Sequence, residues 1–496
     1  MPSFISKSEY MMFLRHPALL WLKKHNKKIL PKPDANLQAI FDTGNLFEDY
    51  AEDLFPEAIE LGFDGYEQYL DLPERTEKAL SAGAETIFQG RFEANNITCI
   101  VDVLKRVEGD TFDLYEIKSN SSVKKEHFPD LAFQTLVIEG TGLNIRNIYV
   151  THVNSEYRRF GEIDIKELTK TEDVTNDVRA VIEETKLGIE KAFAVIESGT
   201  MPDISPRHVG LGSLADWMEI YEILEGEVSP FSIYNLSNVN KKRIGELEDM
   251  GVKMIEDIPD DYDVPNSQVA QVAVTKSGER HIDKEKIKEF LGSLEYPLYF
   301  LDYETTSSVI PPFDGTRPYQ QIPFQYSLHI LESPDGELIH KEYLHTSNSN
   351  PVESLLKQLN EDIGAEGSVL VWFEGFEKPR NMEMGKMFPE YSKFLDNVNN
   401  RVVDLMIPFS RKWFVDKNFY GSASIKDVLP VLAPSLSYKN LNVQEGSTAA
   451  RLWKETFIEN EDTGDKDKIT NDLLKYCERD TLAMVEIWKY LIDLID

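Results

Sequence analysis

Pro297-Leu-Tyr-Phe-Leu-Asp302-Tyr-Glu304-Thr-Thr306 decides how the second half of this chain is read. An apolar, aromatic-rich run bounded by proline and threonine has the composition of a buried strand. Strand side chains alternate between faces, so Asp302 and Glu304 point one way while Leu301 and Tyr303 point the other. Two carboxylates held side by side in an apolar setting repel each other and lose hydration, and a divalent cation makes such a pair tolerable. The stretch alone is equally compatible with an ordinary edge strand whose two acids are solvated. The flanking sequence has to separate these readings.

From Pro297 onward the pattern runs strand, strand, strand, helix, strand, helix. Residues 324–331, 338–344, 368–373 and 401–404 read as strands, 351–361 as a helix, and the rest mostly as helix. That order predicts a mixed α/β sheet. Near the C-terminus, residues 473–488 have helical periodicity, which sets Tyr476 and Asp480 four apart on one face. A helix bringing one carboxylate and one phenol to a strand with two carboxylates makes a workable two-metal site. The metals would bridge a scissile phosphate, and the tyrosine hydroxyl would orient the attacking water. Tyr-x-x-x-Asp by itself is more often a surface pair; its weight comes from the company of Asp302 and Glu304.

Upstream, residues 5–24 read as a capped helix, a break at Pro17 and a second short helix. Lys23 and Lys24 begin the most basic run of the chain, which suits phosphate contacts or a solvated helix end equally well. Residues 41–55 read as an amphipathic helix with its acids on the outer face. A hairpin follows, with Asp102 on its first strand and Glu116 and Lys118 sharing a face of its second, turning through 108–111. A helix over 130–139 carries Gln134. A strand over 147–153 and a long helical segment over 173–198 complete this part. Residues 203–292 are less patterned and read as a mostly helical connector. The expected division is therefore 1–200, 201–292 and 293–496.

Composition bounds the function. The chain has 496 residues, 41% hydrophobic and 11% aromatic, as expected for folded domains with sizeable cores. Its two cysteines, Cys99 and Cys477, exclude a disulfide framework and a four-cysteine metal site made by this chain alone. The N-terminal apolar residues are interrupted by Arg15, His16 and Pro17, and no apolar run approaches membrane-spanning length, so a soluble cytoplasmic protein is expected. A net charge of −33 disfavours a general polyanion binder. Screening shortens the reach of that charge to about 8 Å at physiological salt, so a local basic groove can still operate.

These motifs carry a resemblance. The final ~200 residues resemble a DnaQ-type 3′→5′ exonuclease of the tyrosine-bearing subclass, on an RNase H-like fold. Its first motif, Asp-x-Glu, is matched by Asp302 and Glu304, and its third, Tyr-x-x-x-Asp, by Tyr476 and Asp480. The second motif's acid falls at Glu377, one methylene longer than the usual aspartate, with Phe373 where an asparagine is common and with Glu374 and Asp404 as alternative ligands. Asp102, Glu116 and Lys118 resemble a PD-(D/E)XK nuclease, restriction-endonuclease-like in fold, in which two acids hold a metal and the lysine positions or deprotonates water. Gln134 resembles the glutamine of RecB-like nucleases, and Glu48 lies near where those enzymes carry a helical His or Glu. Over nearly its full length the chain resembles the domain of unknown function 2779 family, which joins a RecB-like module to a DnaQ-like one, and residues 314–329 are the most specific block of that resemblance.

The resemblance implies Mg²⁺ or Mn²⁺ held by Asp302, Glu304, Asp480, Asp102 and Glu116, with Glu377, Tyr476 and Lys118 as further catalytic residues. Gln134, Lys23 and Lys24 are candidate substrate contacts, and the substrate expected is DNA. Relatives commonly carry four cysteines suited to an iron–sulfur cluster. Here His16 stands near the first position and residues 203–235 hold none, so no cluster is expected, with packing around Trp21 and Trp217 as a substitute. Two rivals stay open. DnaQ-type sites also accept RNA, and a binding scaffold with partly decayed nuclease sites would suit the altered second motif and the acidic charge.

Overall fold

Ser6 opens the first helix with a reciprocal cap. Its hydroxyl accepts from the Glu9 N–H at 3.3 Å, and the Glu9 carboxylate accepts from the Ser6 N–H at 3.0 Å. In the computed structural model, which describes residues 4–459 and 464–495, β1 (Ile5–Ser6) leads into α1 (Lys7–Arg15) and α2 (Pro17–His25). The Pro17 break falls where proline suits the first position of a new helix. The chain is a multidomain α/β protein with mixed sheets. One unit comprises Met1–Val228 and Ser308–Tyr319, and the other Ser229–Ser307 and Gln320–Asp496. The connector read over 201–292 is thus shared between them.

In the first unit, α3 (Ala35–Glu52), β2 (Ile59–Glu60), α4 (Tyr66–Ser81), β3 (Thr86–Ala94), β4 (Ile97–Glu108), β5 (Thr111–Lys118), α5 (His127–Gly140), β6 (Asn144–Val153) and β7 (Thr169–Asp173) follow in order. The strands line up as β2-β3-β4-β5-β6-β7, with β1 parallel to β4. β3, β4 and β5 form an antiparallel meander, and β6 returns parallel to β5 through α5. The core contains Val101, Leu114, Phe133, Val137 and Ile148, all fully buried. The helical segment expected over 173–198 is two helices, Thr175–Ala180 and Ile182–Glu197.

The outer face of α3 carries Asp42 and Asp49 as expected, but Glu48 departs from it. Ile40 and Phe41 are exposed, whereas Glu48 turns inward beside Phe47 and Ala51, which are fully buried. Burial and the charge of Glu116 push the Glu48 carboxyl up, and Lys118 and Lys7 partly offset that rise. The segment Ser308–Tyr319 packs within this unit, although it lies in sequence between two strands of the other. Val309 and Ile310 join Phe47 and Phe88 in a core cluster, and Arg159 Nη1 donates to the Pro311 and Pro312 carbonyls at 3.0 Å each.

In the second unit β8 (His281–Ile282) precedes the main sheet of β9 (Leu298–Thr306), β10 (Ile322–Leu331), β11 (Leu338–Leu344), β12 (Ser368–Val371) and β13 (Val402–Asp404). β14 (Phe414–Val415) pairs back onto β8. The main sheet is ordered β11-β10-β9-β12-β13, with β10 antiparallel to both neighbours and β9, β12 and β13 mutually parallel. On one face of β9, Leu298 and Phe300 join the core with the C-terminal helix Lys466–Ile495, where Phe300 meets Trp488 edge-on at 6.0 Å. Among the described residues no helix is long and apolar enough to cross a membrane.

The pairing of β9 with β12 depends on Gly367, which has φ +89°. A Cβ there would lie 2.1 Å from the Pro297 carbonyl oxygen and 2.7 Å from the Pro297 nitrogen. Gly367→Ala should therefore destabilise the second unit by roughly 2 kcal/mol or more, since both the backbone conformation and the close approach exclude a side chain. Urea unfolding of the wild type and variant measures the difference.

Candidate functional site

Alternation along β9 puts Asp302 and Glu304 on the face covered by the C-terminal helix. Tyr303 points the other way, where its hydroxyl donates to Asn381 Oδ1 at 2.9 Å. The rotation of the helix is fixed from β10. Gln325 and Ser327 are the register partners of Glu304 and Asp302, so they share their face. Gln325 Nε2 donates to the Leu473 carbonyl at 2.9 Å, and Thr481 Oγ1 lies 2.7 Å from Ser327 Oγ and 2.8 Å from His329 Nδ1. These contacts turn Tyr476, Cys477 and Asp480 toward β9.

The carboxylates converge, with Lys426 as a nearby ammonium that acts on both Glu304 and Asp480. Ligand atoms of Asp302, Glu304 and Cys477 all lie within 4.8 Å of one another. The Cys477 thiol is 3.8 Å from Asp302 Oδ2 and 3.9 Å from the Asp302 carbonyl. Asp480 stands beside this group, its Oδ1 accepting from the Tyr438 hydroxyl at 2.5 Å. The Lys426 ammonium sits 5.9 Å from the ring centroids of both Tyr438 and Tyr476. Burial, then Asp480, Glu304 and Glu377, push the Asp302 carboxyl well above its usual range. Burial and Asp480 do the same to Glu304, against the pull of Lys426. Burial raises Asp480 to about 6, opposed by the Tyr438 hydrogen bond and Lys426.

Glu377 lies in the first turn of the helix Glu374–Met387. It is buried, and its Oε2 meets no hydrogen-bond partner among the described residues. Burial lifts it to about 8 against its own backbone N–H, with Asp404 adding to the rise and Arg380 opposing it. The alternative ligands are otherwise engaged. Asp404 accepts from the backbone N–H groups of Phe373, Glu374 and Met406 at 3.1, 3.2 and 2.9 Å, and so closes the β12–helix junction where Phe373 holds φ +87°. Glu374 pairs with Lys378 at 2.5 Å.

The first unit assembles the other acids. Asp102 on β4 accepts from the Ile117 N–H at 2.7 Å, beside Glu116 and Lys118 on β5. Lys118 Nζ lies 2.5 Å from Glu116 Oε1 and 3.3 Å from Asp130 Oδ2. Gln134 Nε2 donates to Glu116 Oε2 at 2.7 Å and Asp130 Oδ1 at 3.1 Å. Lys7, from the first turn of α1, reaches Glu116 Oε1 at 3.0 Å. Burial pushes Glu116 up, but Lys118 and Lys7 outweigh it and hold the carboxyl well below the usual range. Asp102 goes the other way, to about 8, through burial and the charge of Glu116. Lys24 is engaged elsewhere, 2.7 Å from Glu9 Oε1 and 2.8 Å from the Phe4 carbonyl, and Lys23 follows the same helix.

His16 caps α2. Its Nδ1 accepts from the Ala18 N–H at 3.1 Å, its Nε2 donates to the Ser205 carbonyl at 3.1 Å, and its ring stacks on Trp217 at 3.6 Å. Both ring nitrogens are engaged and residues 203–235 supply no thiolate, so this arrangement does not fit a four-cysteine cluster. Lys7, Asp130, Cys477, Tyr438 and Lys426 were not singled out by sequence reasoning. Helical spacing could have found two: Asp130 precedes Gln134 by four residues, and Cys477 precedes Asp480 by three. Lys7, Tyr438 and Lys426 arrive through long-range packing, with no local signal.

Raised carboxyl pKa values set a direction for stability. An acid whose folded pKa exceeds its unfolded one binds more protons folded than unfolded across the interval between them. Stability therefore falls as pH rises through that interval. Asp480 at about 6, and Glu377 and Asp102 at about 8, place the loss between pH 4 and 8. In chelator, the urea midpoint should drop from pH 5.5 to pH 8, and Glu377→Gln should make that drop shallower.

Three curated relatives share part of this chain. It is 26% identical over 230 residues to the uncharacterized protein MG366 of Mycoplasma genitalium, covering 42% of this chain and 34% of that protein. The MG366 homolog of Mycoplasma pneumoniae is 27% identical over 227 residues, with the same coverage. The uncharacterized protein UU173 of Ureaplasma parvum is 21% identical over 363 residues, covering 66% of this chain and 50% of its own. The chain spans between about a third and a half of the length of these relatives. Residues 299–424, from the strand bearing Asp302 and Glu304 through the β13–β14 region, match the family described as domain of unknown function, DUF2779.

Proposed function

We propose that this protein is a metal-dependent nuclease that hydrolyses phosphodiester bonds in DNA, trimming 3′ ends in its second unit and carrying a second nuclease site in its first. The observation that carries the reading is the meeting of Asp302 and Glu304 with Tyr476 and Asp480 on one face of β9. The sheet order, with β10 alone reversed, supports an RNase H-like, DnaQ-type reading of the second unit. Asp102, Glu116 and Lys118 on the adjacent strands β4 and β5 support a PD-(D/E)XK reading of the first.

Mg²⁺ or Mn²⁺ suits the donor set, because Asp302, Glu304 and Asp480 offer hard oxygen ligands whose mutual repulsion a divalent ion relieves. When bound, such an ion supplies charge neutralisation at the phosphoryl group and acidifies a water. The protein groups divide the remaining work. Burial, then Asp480 and Glu304, raise the Tyr476 hydroxyl far above its usual range, so it stays protonated and orients a water without acting as its base. Cys477 likewise stays a thiol, driven up by burial and Asp302, and positions Asp302 instead of competing for a hard cation.

One observation favours a gripping role for the first unit. Glu116 already receives Lys7 and Lys118 on Oε1 and Gln134 on Oε2, so a metal there competes with two ammonium groups. A scaffold whose first site only holds the strand, and RNA in place of DNA, are the readings to separate. Degradation of 3′- and 5′-end-labelled single-stranded DNA and RNA with Mg²⁺, Mn²⁺ or chelator does so.

Three variants sharpen the assay. Asp302→Ala should abolish 3′ trimming while metal-free stability holds or rises, since one of the crowded acids is gone. Full trimming by that variant refutes the assignment. Tyr476→Phe should lower turnover by roughly 100-fold with metal affinity nearly unchanged, measured by single-turnover kinetics beside Mn²⁺ titration. Lys118→Ala should remove internal nicks or 5′-end products and spare 3′ trimming; a change in DNA affinity with an unaltered product spectrum assigns the first unit to gripping.

A further inference from the structure

The block 314–329 ends on His329, a residue to which the nuclease reading assigns no task. His329 on β10 and His340 on β11 are register partners, so their imidazoles leave the same face of the sheet, and the rings stack at 4.5 Å. Directly opposed positions on antiparallel strands hold side chains close enough for two imidazoles to share one ion. The C-terminal helix crosses this face. Glu478 lies two residues from both Tyr476 and Asp480, roughly half a turn around the helix from them. His340 Nδ1 is 4.0 Å from Glu478 Oε1, and one ligand atom from each of His329, His340 and Glu478 lies within 4.8 Å of the other two.

The hydroxyls behind the two rings decide which nitrogens are free to bind. His340 Nε2 is 2.9 Å from Ser327 Oγ, Ser327 Oγ is 2.7 Å from Thr481 Oγ1, and His329 Nδ1 is 2.8 Å from Thr481 Oγ1. Thr481 Oγ1 also donates to the Glu478 carbonyl at 3.1 Å. A hydroxyl has one proton, so one arrangement satisfies all four contacts. His340 Nε2–H donates to Ser327, Ser327 donates to Thr481, His329 Nδ1–H donates to Thr481, and Thr481 donates to the carbonyl. That order leaves lone pairs on His329 Nε2 and His340 Nδ1. The latter faces a carboxylate oxygen, a meeting that a bound cation or a second ring proton makes favourable. Hydroxyls that accept the far ring N–H are also what orients imidazoles as metal ligands.

We propose that His329, His340 and Glu478 form a transition-metal site, with Zn²⁺ its natural occupant, that clamps the C-terminal helix to the β10–β11 hairpin. Two imidazoles and one carboxylate suit Zn²⁺, with bonds of about 2.0–2.2 Å and ligand atoms about 3.3 Å apart at tetrahedral angles. The 4.0 Å between His340 Nδ1 and Glu478 Oε1 closes by a sub-ångström movement of the Glu478 side chain, which is 44% exposed and free to make it. Burial, then His340, keep His329 neutral, with its pKa lowered to about 4. The donor set differs in softness from the carboxylate oxygens of Asp302, Glu304 and Asp480, beside which burial keeps Cys477 a thiol, so the two sites favour different ions. This inference is independent of the nuclease reading.

The test uses the full chain, stripped with chelator and titrated with Co²⁺ in excess Mg²⁺, beside metal analysis after Zn²⁺ loading and dialysis. One Co²⁺ per chain should bind with visible d–d absorption and be displaced by Zn²⁺, and Zn²⁺ should raise the thermal midpoint. His340→Asn and Glu478→Gln should each weaken Co²⁺ binding at least tenfold and remove the Zn²⁺ stabilisation, while Asp302→Asn retains both. Circular dichroism checks that the variants fold, and Glu478→Gln, at a half-exposed position, decides the matter if His340→Asn does not. Absence of the visible bands in the wild type, equal affinity in Glu478→Gln, or loss confined to Asp302→Asn would each overturn the proposal.

Discussion

Gathering carboxylates under a helix is the constraint on which the second unit depends. Asp302 and Glu304 share a strand face with Leu298 and Phe300, so the apolar packing that seats the C-terminal helix also removes water from the acids. Each ionised group then raises the cost of ionising the next. Within the described residues the surroundings answer mainly with hydrogen bonds. Tyr438 donates to Asp480, Cys477 donates to Asp302, and Lys426 acts from a distance across two aromatic rings. Packing and repulsion therefore oppose each other at this site, and the divalent ion we propose would bring them into agreement.

The first unit solves the same problem differently. Glu116 is as deeply buried as Glu304, yet its carboxyl is held low where that of Glu304 is driven high. The difference is the source of positive charge. Lys118 comes from the same strand and Lys7 from α1, and Gln134 satisfies the second oxygen. A site neutralised by its own side chains is stable without metal, and a site that is not neutralised binds metal more avidly. Under the proposed metal-dependent reading, the two acid clusters would differ in metal affinity even though both are built from strand carboxylates.

Much of this was legible in the sequence because it rests on short periods. The two-residue alternation of β9 placed Asp302 with Glu304 and against Tyr303, and the four-residue spacing paired Tyr476 with Asp480. The capping box at Ser6 and the hairpin through residues 108–111 are local in the same sense. What failed was non-local. No periodicity indicates that residues 308–319 pack with Phe47 and Phe88, or that Tyr438 reaches Asp480 from forty-two residues away. Glu48 misled for a related reason. On a helical wheel it belongs with the solvated acids of α3, whereas its surroundings, Glu116 and Lys118 of β5 and Lys7 of α1, are distant in sequence.

Asp404 shows how an acid near a site can be excluded from its chemistry. Three backbone N–H groups occupy its oxygens, and in return it closes the turn that holds Phe373 in the left-handed region. Glu377 then begins its helix at a fixed place, with one carboxyl oxygen unpartnered among the described residues. The pair divides the work that one residue cannot do. A carboxylate that accepts three main-chain donors gains structure and has fewer lone pairs left for a metal, whereas a carboxyl left short of donors keeps more of them. The longer side chain at the second motif position is thus compatible with a ligand role, because the neighbouring aspartate carries the structural load of the junction.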